Sequence, residues 1–284
     1  MNVNNGRDGV DFRKTDLILC DIDGVVMLGE DAVDGAATAL REIEHLGIAI
    51  VFCTNNSTMT PASFSDKLSR AGVRCTPDMV VTSAVAAARV LAHRLPAGSD
   101  VLTVGGAGLV AAIEGVGLNP VRCEQVDLAD MRHLAAVTVG LDREISYLRI
   151  HVAAAAARLG LPFIATNDDA VVPRSDGLWP ANGAVLAAIE KAAGRQAEVV
   201  GKPYAPIYEV ALAERSFDDA VVVGDNIDTD LVGGRRLGLR TILVGSGTLP
   251  NSQSHAADVV DMTVESLAHL ADIIGRRRLL DESA

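Results

Sequence analysis

The chain has 284 residues, 49% of them hydrophobic but only 3% aromatic, and carries a net charge of −12. That length accommodates one large domain or two modest ones, and the negative balance argues against a nucleic acid polymer or an anionic membrane as partner, because either would call for a basic face. Apolar runs stay short of the roughly 20 residues of a spanning helix. Met1 to Asp16 has no signal-peptide core, and Cys20, Cys53, Cys75 and Cys123 include no C-x-x-C pair. Zinc is therefore disfavoured, and a cytoplasmic protein with reduced, buried thiols is expected.

Taken in order, Leu17-Ile18-Leu19-Cys20 is an apolar run of the kind found in a buried parallel strand, and it ends in Asp21-Ile22-Asp23-Gly24. The period of two along a strand points Asp21 and Asp23 the same way. Like charges that close need a cation or a proton between them, and the carboxyl end of such a strand is where open α/β sheets bind ligands. In isolation D-x-D-G is also ordinary turn chemistry. Next, Asp34 is predicted to cap a helix in which Ala36, Leu40, Ile43 and Leu46 recur at helical spacing up to Gly47. Ile48 to Cys53 is a second buried strand running into Thr54-Asn55-Asn56-Ser57, and a helix follows from near Pro61 to Gly72. A short strand at Val80-Val81 and an alanine-rich helix from Ala84 to His93 complete a β-α-β-α-β series, the pattern of a doubly wound parallel sheet.

The breaker cluster Leu95-Pro96-Ala97-Gly98-Ser99 marks a boundary. The division expected is a core from 1–96, an α/β insertion over 97–196 and a returning core over 197–284. In the insertion, strands are predicted at Val101–Val104, Ala136–Val139 and Pro162–Thr166, and helices at Gly108–Glu114, Glu144–Arg158 and Gly183–Ala193. Asn167 to Pro180 reads as turn-rich. Beyond it, strand Glu198–Val200 ends at Gly201-Lys202-Pro203, and a helix covers Pro206–Glu214. Strand Ala220–Val223 ends at Gly224-Asp225-Asn226, helix Asp230–Leu237 leads to strand Thr241–Val244, and helix Ser266–Arg276 closes the chain.

Four strand ends thus carry complementary chemistry. Asp21 and Asp225 are hard oxygen donors suited to Mg²⁺, Thr54 can donate to phosphate oxygens, and Lys202 supplies a point positive charge. A carboxylate such as Asp21 can attack phosphorus, and Asp23 can pass a proton to the leaving oxygen and then activate water. In chain order, Asp21-Ile22-Asp23-Gly24-Val25, Thr54-Asn55-Asn56, Gly201-Lys202-Pro203 and Gly224-Asp225-Asn226-Ile227-Asp228-Thr229-Asp230 resemble the four motifs of the haloacid dehalogenase (HAD) superfamily. Thr82-Ser83-Ala84, Gly140-Leu141-Asp142, Tyr147, Thr166-Asn167 and Asp169 are similar to its NagD-like, p-nitrophenyl-phosphatase-type branch.

The resemblance runs from about Asp16 to Gly247 and implies a Rossmann-like core, with a large α/β cap inserted between the second and third motifs. It implies a Mg²⁺-dependent phosphatase working through an aspartyl-phosphate. Asp21 is then the nucleophile and a metal ligand, and Asp23 the acid/base and a ligand through its carbonyl. Thr54, Asn55 and Asn56 hold the phosphate, Lys202 stabilises charge on Asp21 and the phosphoryl group, Asp225 binds the metal, and Asn226 and Asp230 support it. The family commonly has Thr-Asn-Pro-Asp where this chain has Thr166-Asn167-Asp168-Asp169, and Pro-Gly-x-Gly where it has Pro180-Ala181-Asn182-Gly183. Both departures fall in the cap and bear on substrate. The partner expected is a small phosphomonoester of the sugar phosphate, glycerol phosphate, phosphoglycolate, pyridoxal phosphate or nucleotide class. Asn167, Asp169 and Arg174 are the expected contacts to its leaving group, although Asn167 and Asp169 would equally serve to shape a turn. No nucleic acid or membrane partner is expected, and a homodimer through the cap is allowed.

Two other readings compete. Gly106-Ala107-Gly108-Leu109-Val110-Ala111 fits the G-x-G-x-x-A dinucleotide fingerprint after a strand, with Glu124 or Asp127 placed to meet a ribose. A nicotinamide-dependent oxidoreductase would leave the four motifs unexplained. A catalytically silent binding protein on the same fold is opposed by intact Asp21, Asp23, Lys202 and Asp225.

Overall fold

The computed structural model describes residues 10–174, 176–212, 220–245 and 256–281. The strands are β1 (Leu17–Cys20), β2 (Met27–Leu28), β3 (Asp31–Ala32), β4 (Ala49–Thr54), β5 (Val80–Thr82), β6 (Asp100–Val104), β7 (Asn119–Val121), β8 (Leu134–Val139), β9 (Phe163–Ala165), β10 (Val171–Arg174), β11 (Gly177–Pro180), β12 (Glu198–Val199), β13 (Ala220–Gly224), β14 (Arg240–Val244) and β15 (Met262–Val264). The helices are α1 (Ala36–His45), α2 (Pro61–Arg70), α3 (Ser83–Ala92), α4 (Ala107–Gly115), α5 (Tyr147–Ala157), α6 (Asn182–Ala193), α7 (Ala205–Leu212), α8 (Val232–Arg236), α9 (Ala256–Val259) and α10 (Leu267–Asp281). They fall into two compact units. One is built from the chain up to Thr54, Phe64–Val81 and the chain from Tyr208 on; the other is built from Asn55–Ser63 and Thr82–Ile207.

The first unit holds a six-stranded sheet in the order β15-β14-β13-β1-β4-β5. β1 is parallel to both neighbours, with Leu17 opposite Ala49 and Ala220. The central strands β1 and β13 are unbroken apolar runs buried along their whole length, which is what a parallel sheet covered on both faces demands. Successive strands leave β1 first toward β5 and later toward β15, so the order reverses between β1 and β13. The ligand crevice of such a sheet opens at the carboxyl ends flanking that reversal.

The second unit holds a five-stranded parallel sheet, β12-β9-β8-β6-β7, whose reversal lies between β6 and β8. Ala153, Ala154, Ala156 and Ala157 of α5 share its core with Leu186 and Ile189 of α6. The predicted insertion lies inside this unit, which also takes in Asn55–Ser63, Thr82–Pro96 and Ala197–Ile207.

The doubly wound parallel α/β fold expected from the sequence is the one observed, with local differences. Asp34 does not cap α1: the capping position is Gly35, at φ 75° and without a side-chain hydrogen bond. The turn-rich segment contains the hairpin β10–β11, in which Val171 pairs with Pro180. Its residues are exposed almost throughout, so it has no buried face to impose an alternating apolar pattern. Edge strand β7 carries Pro120, which reads as a strand breaker. The helix predicted at Asp230–Leu237 is a π-helical turn over Ile227–Leu231 followed by the short α8. Glu214, the predicted end of another helix, lies outside the described residues.

All four cysteines are buried thiols, and burial pushes those of Cys75 and Cys123 up to about 11. Cys75 and Cys123 therefore carry little thiolate at neutral pH and act as packing residues. Among the described residues no helix is long and apolar enough to cross a membrane.

Candidate active site

The carboxyl ends of β1 and β13 bring three acids together. Asp21 follows β1 directly, and its N–H donates to Val223 O of β13 at 2.9 Å. Asp21, Asp225 and Asp230 each offer a carboxylate oxygen, and these oxygens lie within 4.8 Å of one another. The three residues are 9%, 8% and 1% exposed, so water screens their repulsion weakly and a bound cation would offset it. A set of hard carboxylate oxygens without sulfur or imidazole fits Mg²⁺ or another hard divalent cation. Asp23 stands outside this side-chain group, and it is exposed. Thr54, the last residue of β4, is buried.

The turn after β13 is built to hold its acids. The Asn226 side chain caps the π-helical turn, accepting from Asp228 N–H at 2.9 Å and Thr229 N–H at 3.3 Å. Asp230, expected only to support the site, belongs to the acid cluster, and its Oδ2 also accepts from Asn226 N–H at 3.1 Å. Tyr208, which sequence reasoning missed, is fully buried and directs its hydroxyl at Asp230 O (2.8 Å) and Thr229 O (3.0 Å). Nothing in its sequence neighbourhood signals this, because the carbonyls it satisfies are 21 and 22 positions away.

Two glycines exist to let these carboxylates in. A Cβ on Gly224 would lie 2.4 Å from Asp230 Oδ2, and one on Gly24 would lie 2.1 Å from Asp225 Oδ2. Gly24 also sits at φ +88°, a region that costs an L residue about 1–2 kcal/mol. Gly24→Ala is therefore expected to displace Asp225 and raise the Mg²⁺ concentration needed for half-maximal activity by about tenfold or more, an effect of about 1.4 kcal/mol. A Mg²⁺ titration of turnover checks it; an unchanged midpoint would show that Asp225 is not seated by this contact.

The second unit holds a cluster of its own. Lys202 is 4% exposed, in the loop after β12. Asn55 grips that loop by its main chain, with Oδ1 accepting from Lys202 N–H at 2.7 Å and Nδ2 donating to Lys202 O at 2.9 Å. Nδ2 also donates to Asp169 Oδ2 at 3.0 Å. The Asn56 carboxamide oxygen folds back on its own turn, accepting from Thr58 N–H at 2.8 Å. Asn167 is buried; it donates to Asn55 O at 2.8 Å and accepts from Asp169 N–H at 3.3 Å. Arg174, on the exposed hairpin, lays its guanidinium over Trp179 at 5.1 Å from the ring centroid. Asp142 is buried and ion-paired with Arg149 at 2.8 Å, while Tyr147 is 88% exposed at the start of α5.

The glycine fingerprint has a packing explanation. Gly106 N–H donates to Leu141 O at 3.2 Å and Gly108 N–H to Thr58 O at 3.0 Å. A Cβ on Gly108 would meet Met59 O at 2.6 Å and Ser57 O at 2.7 Å. The backbone of Ser57–Met59 occupies the place where a dinucleotide pyrophosphate would need those amides. The oxidoreductase reading loses its binding element. Beside this turn, at the strand-order reversal of the second sheet, lies a cavity of about 760 Å³ lined in part by Thr58, Gly106, Arg122, Leu141, Asp142 and Arg143.

A haloacid dehalogenase-like hydrolase family model matches residues 18–119, and a HAD-hydrolase-like model matches residues 199–270. The acid sugar phosphatase of Staphylococcus haemolyticus is 36% identical over 231 residues, covering 81% of this chain and 84% of that protein. Among solved structures, the p-nitrophenyl phosphatase of Archaeoglobus fulgidus superposes with a TM-score of 0.81 at 28% identity, covering 91% of this chain and 99% of that one. The glycerol phosphate phosphatase of Mycobacterium tuberculosis, solved with magnesium, gives 0.81 at 31% identity over 93% of this chain and 79% of that one.

Proposed function

This chain belongs to the haloacid dehalogenase-like hydrolases and is a phosphatase, and on that premise we propose that it hydrolyses small sugar or polyol phosphates through an aspartyl-phosphate at Asp21. The observation that carries the reading is the cluster of Asp21, Asp225 and Asp230 oxygens within 4.8 Å at the reversal of the first sheet. Asp21, the Asp23 carbonyl and Asp225 would hold Mg²⁺, which when bound supplies positive charge to the phosphoryl oxygens. An Asp21 carboxylate oxygen attacks phosphorus, and the bond from phosphorus to the leaving oxygen breaks. Asp23 gives that oxygen a proton and then takes one from the water that releases inorganic phosphate. Thr54 and main-chain amides hold the phosphoryl group, and Lys202 offsets its charge.

Recognition of the leaving group is assigned to the inserted segment 97–196. Its cavity carries Arg122 and Arg143 beside Asp142 and Glu144, side chains of both signs that suit a hydroxylated leaving group better than an apolar one. The relatives named acid sugar phosphatase and glycerol phosphate phosphatase support that substrate class. A panel of phosphomonoesters assayed for phosphate release with Mg²⁺ tests the proposal. Sugar and polyol phosphates are expected to give the highest kcat/KM. A clear preference for nucleotides or for apolar aryl phosphates would refute the substrate class, and no release from any member would refute the activity.

A further inference from the structure

Asn55 was expected to hold phosphate, and Asn167 and Asp169 to contact the leaving group, yet these residues hydrogen-bond to one another and to the main chain of Lys202. We propose that Asp169 is a positioning residue that fixes Lys202 through Asn55, a role that rests on the part given to Lys202 above. A carboxamide has one accepting and one donating end of nearly the same shape, so by itself it can enter a site either way round. Asn55 must enter with Oδ1 toward Lys202 N–H (2.7 Å) and Nδ2 toward Lys202 O (2.9 Å) to grip that peptide at two points. The Asp169 carboxylate only accepts, and at 3.0 Å from Nδ2 it selects that orientation.

The grip is close. A Cβ on Gly201 would lie 2.6 Å from Asn55 Oδ1 and 2.4 Å from Thr166 O, so the loop leaves no room for a side chain before Lys202. Asp169 is held in turn, because its N–H donates to Asn167 Oδ1, and Asn167 O accepts from buried Asn182 at 2.5 Å. A second tie joins the same two loops: the Tyr204 hydroxyl donates to Asp168 Oδ2 at 2.8 Å. Asp168 stands where the resemblance leads one to expect proline, so this chain replaces a rigid turn residue with a hydrogen bond to the Lys202 loop.

The test uses the purified full chain with Mg²⁺ and four readouts: kcat and KM for p-nitrophenyl phosphate, the same for a sugar phosphate, inhibition by orthovanadate, and Tm. Asp169→Ala is expected to lower kcat by about 10- to 100-fold on both substrates alike, the scale of a small misplacement of a catalytic group. KM should stay within about threefold, and orthovanadate inhibition should weaken in proportion to kcat, because the loss falls on the transition state. Asp169→Asn, which keeps an accepting oxygen, should recover much of the loss. If Asp169→Ala does not fold, Asp169→Glu replaces it, with the same uniform loss expected.

A loss confined to the sugar phosphate and seen in KM would overturn the proposal in favour of leaving-group contact. A loss that follows Tm while orthovanadate inhibition is unchanged would overturn it in favour of general structural support. Lys202→Ala, run alongside, keeps the two readings apart. If that variant retains full turnover the role of Lys202 is wrong, whereas an inactive Lys202→Ala with a fully active Asp169→Ala refutes the positioning role alone.

Discussion

Asp21→Asn is expected to lower kcat for every phosphomonoester by roughly 10⁴-fold or more, with no loss of thermal stability. The substitution keeps the shape of the side chain but replaces a carboxylate with a carboxamide that does not attack phosphorus. Uncatalysed phosphate monoester hydrolysis is among the slowest of reactions, so removal of the nucleophile exposes a very large barrier. The stability arm has its own physical reason. Asp21, Asp225 and Asp230 crowd their oxygens within 4.8 Å, and in metal-free buffer the loss of one negative charge relieves repulsion within the cluster. Tm without metal should therefore hold or rise. Near wild-type turnover would show that Asp21 is not the nucleophile, and a falling Tm would show that its carboxylate is a structural group.

Removal of divalent metal should abolish turnover, and Mg²⁺ should restore it. The same cluster that repels itself when empty is drawn together by a cation, so Mg²⁺ should also raise Tm. At a Mg²⁺ concentration of 100 times its Kd the stabilisation is about 2.7 kcal/mol. Asp225→Asn should lose most of that Tm increment, because it removes one of three charges and leaves Asp230 tied to the Asn226 N–H at 3.1 Å. Full turnover in EDTA would exclude a divalent metal from the reaction. A Mg²⁺-dependent Tm shift that survives Asp225→Asn would place the ion elsewhere.

The strand ends that carry Asp21, Thr54, Lys202 and Asp225 were legible because each follows a short apolar run, and local periodicity is written in neighbouring residues. Asp21 was legible as a candidate ion ligand, since two carboxylates one residue apart raise an electrostatic problem in any fold, but the partner was not: its carboxylate groups with Asp225 and Asp230, and Asp23 stands outside that group. Asp34 misled because its composition suited a cap, whereas the chain enters α1 through Gly35 at φ 75°. The β10–β11 hairpin was hidden because a strand exposed on both sides has no apolar alternation. The dinucleotide fingerprint misled because glycine spacing records close backbone approach and not what approaches; here it is the Ser57–Met59 backbone.

The order of apolar runs and turns along the chain was therefore enough to determine a doubly wound parallel α/β protein with acids at its strand ends. Tertiary structure alone decided which groups those residues face. The Asn55 carboxamide spends its hydrogen bonds on Asp169 and Lys202, 114 and 147 positions away, and Gly24 is required by the carboxylate of Asp225. Such pairings depend on which strand ends the sheet order makes neighbours, and sequence periodicity, which extends over only a few residues, carries no record of that order.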